Sequence, residues 1–179
     1  MEDQEILIQF NQAATKEAAF TQLVAKYRER LYWHIRRLIV DHDDTDDVLQ
    51  NTFLKVWKAL AGFKEQSQLY TWLYRIATNE SLSFIEQKQR KSTLSFDDMA
   101  EALSNQLKAD SHFDPNRLEW KLQIAIQQLP EKQRIVFGLR YFDEMSYDEM
   151  SEVLGTSTGA LKASFHHAVK KVEEFIKNN

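Results

Sequence analysis

The chain predicts an all-α protein of two small helical domains, and three observations carry that reading. Only 4 Gly and 2 Pro interrupt 179 residues, 43% of which are hydrophobic, with Trp, Phe and Tyr spread throughout. Apolar residues recur at three- and four-residue steps, the period of a helix buried on one face. One segment, residues 92–114, loses that period and gathers Ser, Asp and Asn, as a tether does. The expected organisation is a domain over 1–91, an acidic linker over 92–114 and a second domain over 115–179.

Each element follows in order. Ile6–Phe10 suits a short leading helix. Thr15 is the expected N-cap of a long helix with Phe20, Leu23, Val24, Tyr27, Leu31, Ile35 and Leu38 on its inner side. Asp44 is the expected cap of the next helix, placing Asp46 and Asp47 in a first turn where the macrodipole favours carboxylates. Leu49, Phe53, Val56, Trp57 and Leu60 form its stripe, and Gly62 stops it near Ala61. After a loop over 63–68, a further helix is expected from Leu69 to Lys91. Asp114 and Pro115 read as the N-cap and first residue of the following helix, with Leu118, Leu122, Ala125 and Leu129 inward. Pro130 opens another, PEKQRIVFGLRYF.

The last stretch, SYDEMSEVLGTSTGALKASFHHAVKK, reads as two helices joined by a tight turn. Ser146 and Glu149 form a capping box, and Gly155 stands where a left-handed C-terminal residue is needed. Ser157 caps the second helix, which buries Leu161, Phe165, Ala168 and Val172. At about 100° per residue the opposite face carries Gly159, Ala163, His166, His167 and Lys170, with Lys162 on its flank. A helix-turn-helix entering a DNA major groove has this layout. A plain helical hairpin with a solvated outer face is the alternative.

Composition narrows the function. No Cys is present, which leaves no disulfide, thiolate metal site or cysteine nucleophile. The acidic start, MEDQEILIQF, is unlike a signal peptide, and no apolar run is long enough to span a bilayer, so a soluble cytoplasmic protein without membrane insertion is expected. The net charge of −4 is localised: residues 92–114 hold Asp97, Asp98, Glu101, Asp110 and Asp114 against Lys108. Five more carboxylates lie between Asp41 and Asp47, while basic residues cluster at Arg28/Arg30/Arg36/Arg37 and Lys88/Arg90/Lys91. Such a balance yields little non-specific DNA affinity, so tight DNA binding is expected to need a partner. No catalytic motif stands out. The Asp43–Asp47 carboxylates are explained by a helix start, and adjacent His166 and His167 diverge without a third ligand, so neither metal nor cofactor is expected.

Four blocks carry a resemblance: DDVLQNTFLKVW (Asp46–Trp57), TWLYRIATN (Thr71–Asn79), LPEKQRIVFGLRYF (Leu129–Phe142) and YDEMSEVLGTSTGALKASFHHA (Tyr147–Ala168). In this order they resemble the sigma-70 family of bacterial transcription initiation factors, in its small two-domain extracytoplasmic-function group. The resemblance implies that Asp46, Asp47, Gln50, Asn51 and Leu54 dock on core RNA polymerase. It implies a −10 promoter surface of Lys64, Ser67, Tyr70, Trp72, Tyr74, Arg75, Asn79, Lys88, Arg90 and Lys91. Aromatic faces and cations suit captured bases, and Asn79 offers both a donor and an acceptor, although Trp72 also shares core spacing with Leu73 and Ile76. At the −35 element the implied contacts are Arg140, Gly159, Ala160, Lys162, Ala163, Ser164, His166 and His167. Promoter DNA and an anti-sigma factor are the further partners implied.

The sequence departs from the family pattern in places. Asn51 stands where an acid is usual, Glu65 and Gln66 break the commoner FRGES-type loop, Ala163 replaces Ser, and Ser164 and His167 replace Arg. The rival readings are a stand-alone helix-turn-helix regulator and a degenerate sigma-like module that titrates an anti-sigma factor.

Overall fold

The computed structural model describes residues 2–91, 101–102, 105 and 117–179. The linker segment 92–114, but for three positions, and the Asp114–Pro115 cap lie outside the described residues. The described helices are α1 (Asp3–Phe10), α2 (Lys16–Ile39), α3 (His42–Ala59), α4 (Leu69–Lys91), α5 (Leu118–Gln127), α6 (Glu131–Tyr141), α7 (Tyr147–Leu154) and α8 (Thr158–Asn178), with no strand among them. A 3-10 turn, Leu60–Gly62, follows α3. The chain divides into two compact units, the first mainly residues 1–84 and the second mainly residues 85–179.

In the first unit α2 packs against both α1 and α3. Its core gathers Ile6, Phe10, Leu23, Leu31, Ile35, Val56, Leu60 and Leu73, all essentially inaccessible. Each such aliphatic or aromatic side chain contributes about 1.5–3 kcal/mol on burial. Three long-range polar contacts fix the helices. Asp3 accepts from Tyr27 Oη at 2.7–2.8 Å and from Lys26 Nζ at 2.7 Å, tying α1 to α2. Burial, then the neighbouring Asp3 carboxylate, push the Tyr27 phenol well above its ordinary pKa. Lys55 on α3 pairs with Glu80 on α4. Buried His34 on α2 meets Thr78 Oγ1 on α4 at 2.8 Å. Because the single Thr78 hydroxyl proton goes to the Tyr74 carbonyl at 2.7 Å, His34 Nε2 must donate in that contact.

Helix α2 starts where expected, with Thr15 as its N-cap residue, although the Thr15 hydroxyl donates to the Gln9 carbonyl at 2.7 Å instead of accepting a helix N–H. One helix start differs from expectation. Helix α3 starts earlier than expected: Asp41, not Asp44, is the N-cap, and its carboxylate accepts the Asp44 N–H at 2.9 Å. Val40, at φ 68°, reverses the chain after α2, which makes Asp41 the first extended residue and hence the cap. Asp46 and Asp47 therefore sit in the second turn, beyond the strongest helix-terminus field.

The second unit is closed by α5 and α6 against α8, with Ala125, Ile126, Leu129, Phe137, Ala168 and Val172 buried together. Leu118 is exposed at the start of α5, not part of the stripe. Arg134 is a buried cation in this unit. Its Nη2 donates to the carbonyls of Gln127 (2.9 Å) and Leu129 (3.2 Å), satisfying orphan acceptors where α5 ends. Burial lowers its pKa.

Candidate functional site

A shallow groove runs along the first unit between α2 and α3. At one end Phe20, Phe53 and Trp57 form an apolar wall, with Glu17, Thr21, Gln50 and Leu54 around the rim. The groove continues past Val24, Arg28, Asp46, Asp47 and Leu49 to Tyr32 and His42. There Tyr32 Oη lies 2.7 Å from His42 Nδ1, and Asp46 is 3.6 Å from His42 Nε2. Asp46, Asp47, Gln50, Asn51 and Leu54 are all exposed, and Leu54 keeps 53% of its surface in water. An exposed leucine beside an open apolar wall, rimmed by carboxylates, suits a partner with apolar and basic side chains. The α2 side of the groove was not anticipated. Phe20 and Val24 are only half-buried at its edge, and with Arg28 and Tyr32 they recur every four residues, a stripe flanking the core stripe.

Helix α4 presents a second face. Arg75 and Asn79 are exposed on it, and Lys88, Arg90 and Lys91 are exposed at its end, Arg90 lying 3.8 Å from Glu86. Tyr74 must be withdrawn from this surface: it is fully buried, its ring 5.0 Å from that of His34, so no base can reach it. Trp72 is half-buried with its ring 5.1 Å from Phe63 at 45°, a packing contact. Tyr70 is half-buried beneath the Arg30 guanidinium, 6.0 Å from its ring centroid. In the preceding loop Lys64 is exposed, Ser67 is half-buried, and Glu65 has φ 52°. That conformation suits glycine, which is what the FRGES-type loop has there.

The third face lies on α7 and α8. Both halves of the capping box form: Ser146 accepts the Glu149 N–H at 3.2 Å, and the Glu149 carboxylate accepts the Ser146 N–H at 2.7 Å. Gly155 ends α7 at φ 65° and Ser157 caps α8 through the Ala160 N–H. Leu161, Ala168 and Val172 face inward; Gly159, Ala160, Lys162, Ala163, His166 and His167 are exposed. Nothing lies within 4 Å of a Cβ built on Gly159, so this face is open to close approach. Ser164 is half-buried beside the core stripe. Arg140 is half-buried: its Nη1 donates to the Met145 carbonyl at 2.8 Å and its guanidinium lies 5.1 Å from the Tyr147 ring. Lys162 Nζ is 5.7 Å from that ring, so Tyr147, which sequence reasoning missed, gathers both cations. The rings of His166 and His167 are 6.0 Å apart, and no cluster of three potential ligands occurs among the described residues.

This arrangement matches known proteins at both ends. Residues 23–91 match the family "Sigma-70 region 2" and residues 120–172 match "Sigma-70, region 4". The chain belongs to the sigma-70 family. It is 30% identical to the RNA polymerase sigma-H factor of Pseudomonas aeruginosa over 88% of this chain and 86% of that one. It is likewise 30% identical to the ECF RNA polymerase sigma-E factor of Escherichia coli, over 89% and 87%. Two solved structures share the fold. CnrH in complex with the cytosolic domain of CnrY has a TM-score of 0.72 at 24% identity, covering 99% of this chain and 98% of that chain. RpoE of Bartonella quintana in complex with the anti-sigma factor NepR has a TM-score of 0.69 at 21% identity, covering 88% and 96%. The chain is thus a sigma factor of the extracytoplasmic-function group, directing transcription initiation with RNA polymerase. No helix among the described residues is long and apolar enough to cross a membrane.

Proposed function

We propose that this sigma factor divides its work among the three faces. The α2–α3 groove, with Asp46, Asp47, Gln50, Asn51 and Leu54, docks on core polymerase. The outer face of α4, with Arg75, Asn79, Tyr70 and the half-buried Trp72, captures the opened −10 strand. Lys64 and Ser67 border the base pocket, and Lys88, Arg90 and Lys91 meet phosphates upstream. The exposed face of α8 reads the −35 duplex through Gly159, Ala160, Ala163, His166 and His167, with Lys162 and Arg140 on phosphates. Segment 92–114 links a domain of residues 1–91 to one of 115–179. The protein performs no catalysis itself, since polymerase carries the chemistry, and it acts in the cytoplasm.

The observation that carries this reading is the exposed face of Asp47, Gln50 and Leu54 beside an apolar wall whose Phe20 and Trp57 stay partly exposed. A stand-alone DNA-binding regulator has no use for such a face. An anti-sigma factor is the further partner proposed, because CnrH and RpoE, which share the fold, were each solved with a partner protein bound. Run-off transcription by core polymerase with and without the protein tests the reading. Promoter-specific transcripts should depend on it, and duplex binding without any effect on transcription would favour the regulator instead.

A further inference from the structure

We propose that the outer face of α2 is a stacking platform for single-stranded DNA, with Trp33 contacting bases and Arg30, helped by the partly exposed Arg36, facing the backbone. Trp33 is 53% exposed, although the core beneath it is already filled by Leu31, His34 and Ile35. The indole contributes little to packing. Its plane is held by Tyr32, whose ring meets it edge-on at 5.3 Å and 82°. Arg30, Arg36 and Arg37 stand three and four residues away, the positions that adjoin Trp33 on a helix surface; Arg30 is exposed, Arg36 and Arg37 are half-buried with the Arg37 Nε turned inward, and Glu29 is the one acid at such a distance. Arg30 is exposed and its guanidinium lies over Tyr70 on α4, which carries the cationic track from α4 onto α2.

An accessible π-face with an exposed guanidinium one helical turn away complements unpaired bases on a phosphate backbone. It is a poor fit to duplex DNA, whose bases are stacked on one another and whose backbone needs only the cations. The inference rests on the reading that α4 meets the −10 strand, since the strand would continue from Tyr70 across Arg30 to Trp33.

The test uses the full chain and a fluorescent oligothymidine of about 12 nucleotides, within the usual site size for single-strand binders. Binding is read by anisotropy, beside a duplex of equal length, with thermal melts recorded for every variant. Trp33→Ala should weaken oligothymidine binding about fivefold or more, the lower range of stacking losses, and change duplex binding less than twofold. Trp33→Phe, which keeps a ring, should stay within about twofold of wild type on both probes. The proposal is overturned by unmeasurable oligothymidine binding in the wild type, by unchanged binding in Trp33→Ala, or by equal losses on single strand and duplex. Unchanged oligothymidine binding with weaker capture of core polymerase would make the patch a protein contact instead. Run-off transcription separates the two claims. If the wild type directs promoter-specific transcripts while Trp33→Ala binds oligothymidine normally, only the platform falls. If Trp33→Ala loses oligothymidine binding while the wild type directs no transcripts, the promoter reading falls and the platform stands.

Discussion

The α2–α3 groove and the outer face of α8 are both open to partners, yet they are built differently. The groove exists only because Phe20 and Val24 on α2 are brought beside Leu49, Phe53 and Trp57 on α3. The α8 face comes from consecutive residues, Thr158 to His167, set by Ser157 at one end of the turn and Gly155 at the other. A face made by one capped helix can change its chemistry residue by residue without disturbing the core. A face made by two helices depends on the core behind it, where each buried contact counts. That difference separates how the two regions should respond to substitution.

The largest effect is expected at the groove. Replacing Asp47, Gln50 and Leu54 together by Ala removes an exposed apolar contact and two polar ones. Capture of core polymerase should fall about 100-fold, ~3 kcal/mol, while the melt changes by less than ~1 kcal/mol because all three side chains lie at the surface. A melt shifted as strongly as binding would mean that the groove face belongs to the core. Next comes Arg134→Ala in the second unit. It leaves the carbonyls of Gln127 and Leu129 without their buried donor, and denaturant unfolding should show a loss of roughly 2–3 kcal/mol. Gly155→Ala should cost about 1 kcal/mol through backbone conformation alone, since a Cβ there meets nothing within 4 Å. A much larger loss would show that the turn is more tightly packed than its geometry indicates. The smallest change is Ser164→Arg in the full chain. It adds a cation beside the recognition face, so the salt dependence of promoter-duplex binding should steepen by about one unit if the new guanidinium reaches a phosphate. An unchanged slope would put position 164 outside the contact surface, as its half-buried place beside the core stripe allows.

What could be read from the sequence follows the same division. The capping box at Ser146 and Glu149, the left-handed Gly155 and the Ser157 cap involve partners within four residues, and each was legible from spacing. So were the bounds of α4 at Leu69 and Lys91. Long-range contacts were not. Nothing in the spacing of His34 announces Thr78, and nothing in Arg134 announces the end of α5, because both are settled only when helices pack. The α3 cap was misread for a related reason. Asp41 and Asp44 are both good capping residues, and the choice between them falls to Val40, whose positive φ no β-branched residue advertises. At the sites, helical period put the exposed face of α8 and the exposed Asp46, Asp47, Gln50, Asn51 and Leu54 in view. It could not separate Tyr74 from Tyr70 on α4: one is buried against His34, whereas the other is half-buried under Arg30. The α2 wall of the groove escaped because Phe20 and Val24 look like core residues until the width of the interface is known.

The most direct test is run-off transcription on a promoter library with core polymerase alone, with the wild-type protein, and with the Asp47/Gln50/Leu54 triple alanine variant. Wild type should give a discrete set of start sites absent from core alone, and the triple variant should lose them while its melt remains near wild type. Transcripts from the triple variant equal to those from wild type would contradict docking through the α2–α3 groove. Transcripts with wild type no different from core alone would contradict the assignment of promoter recognition to this chain.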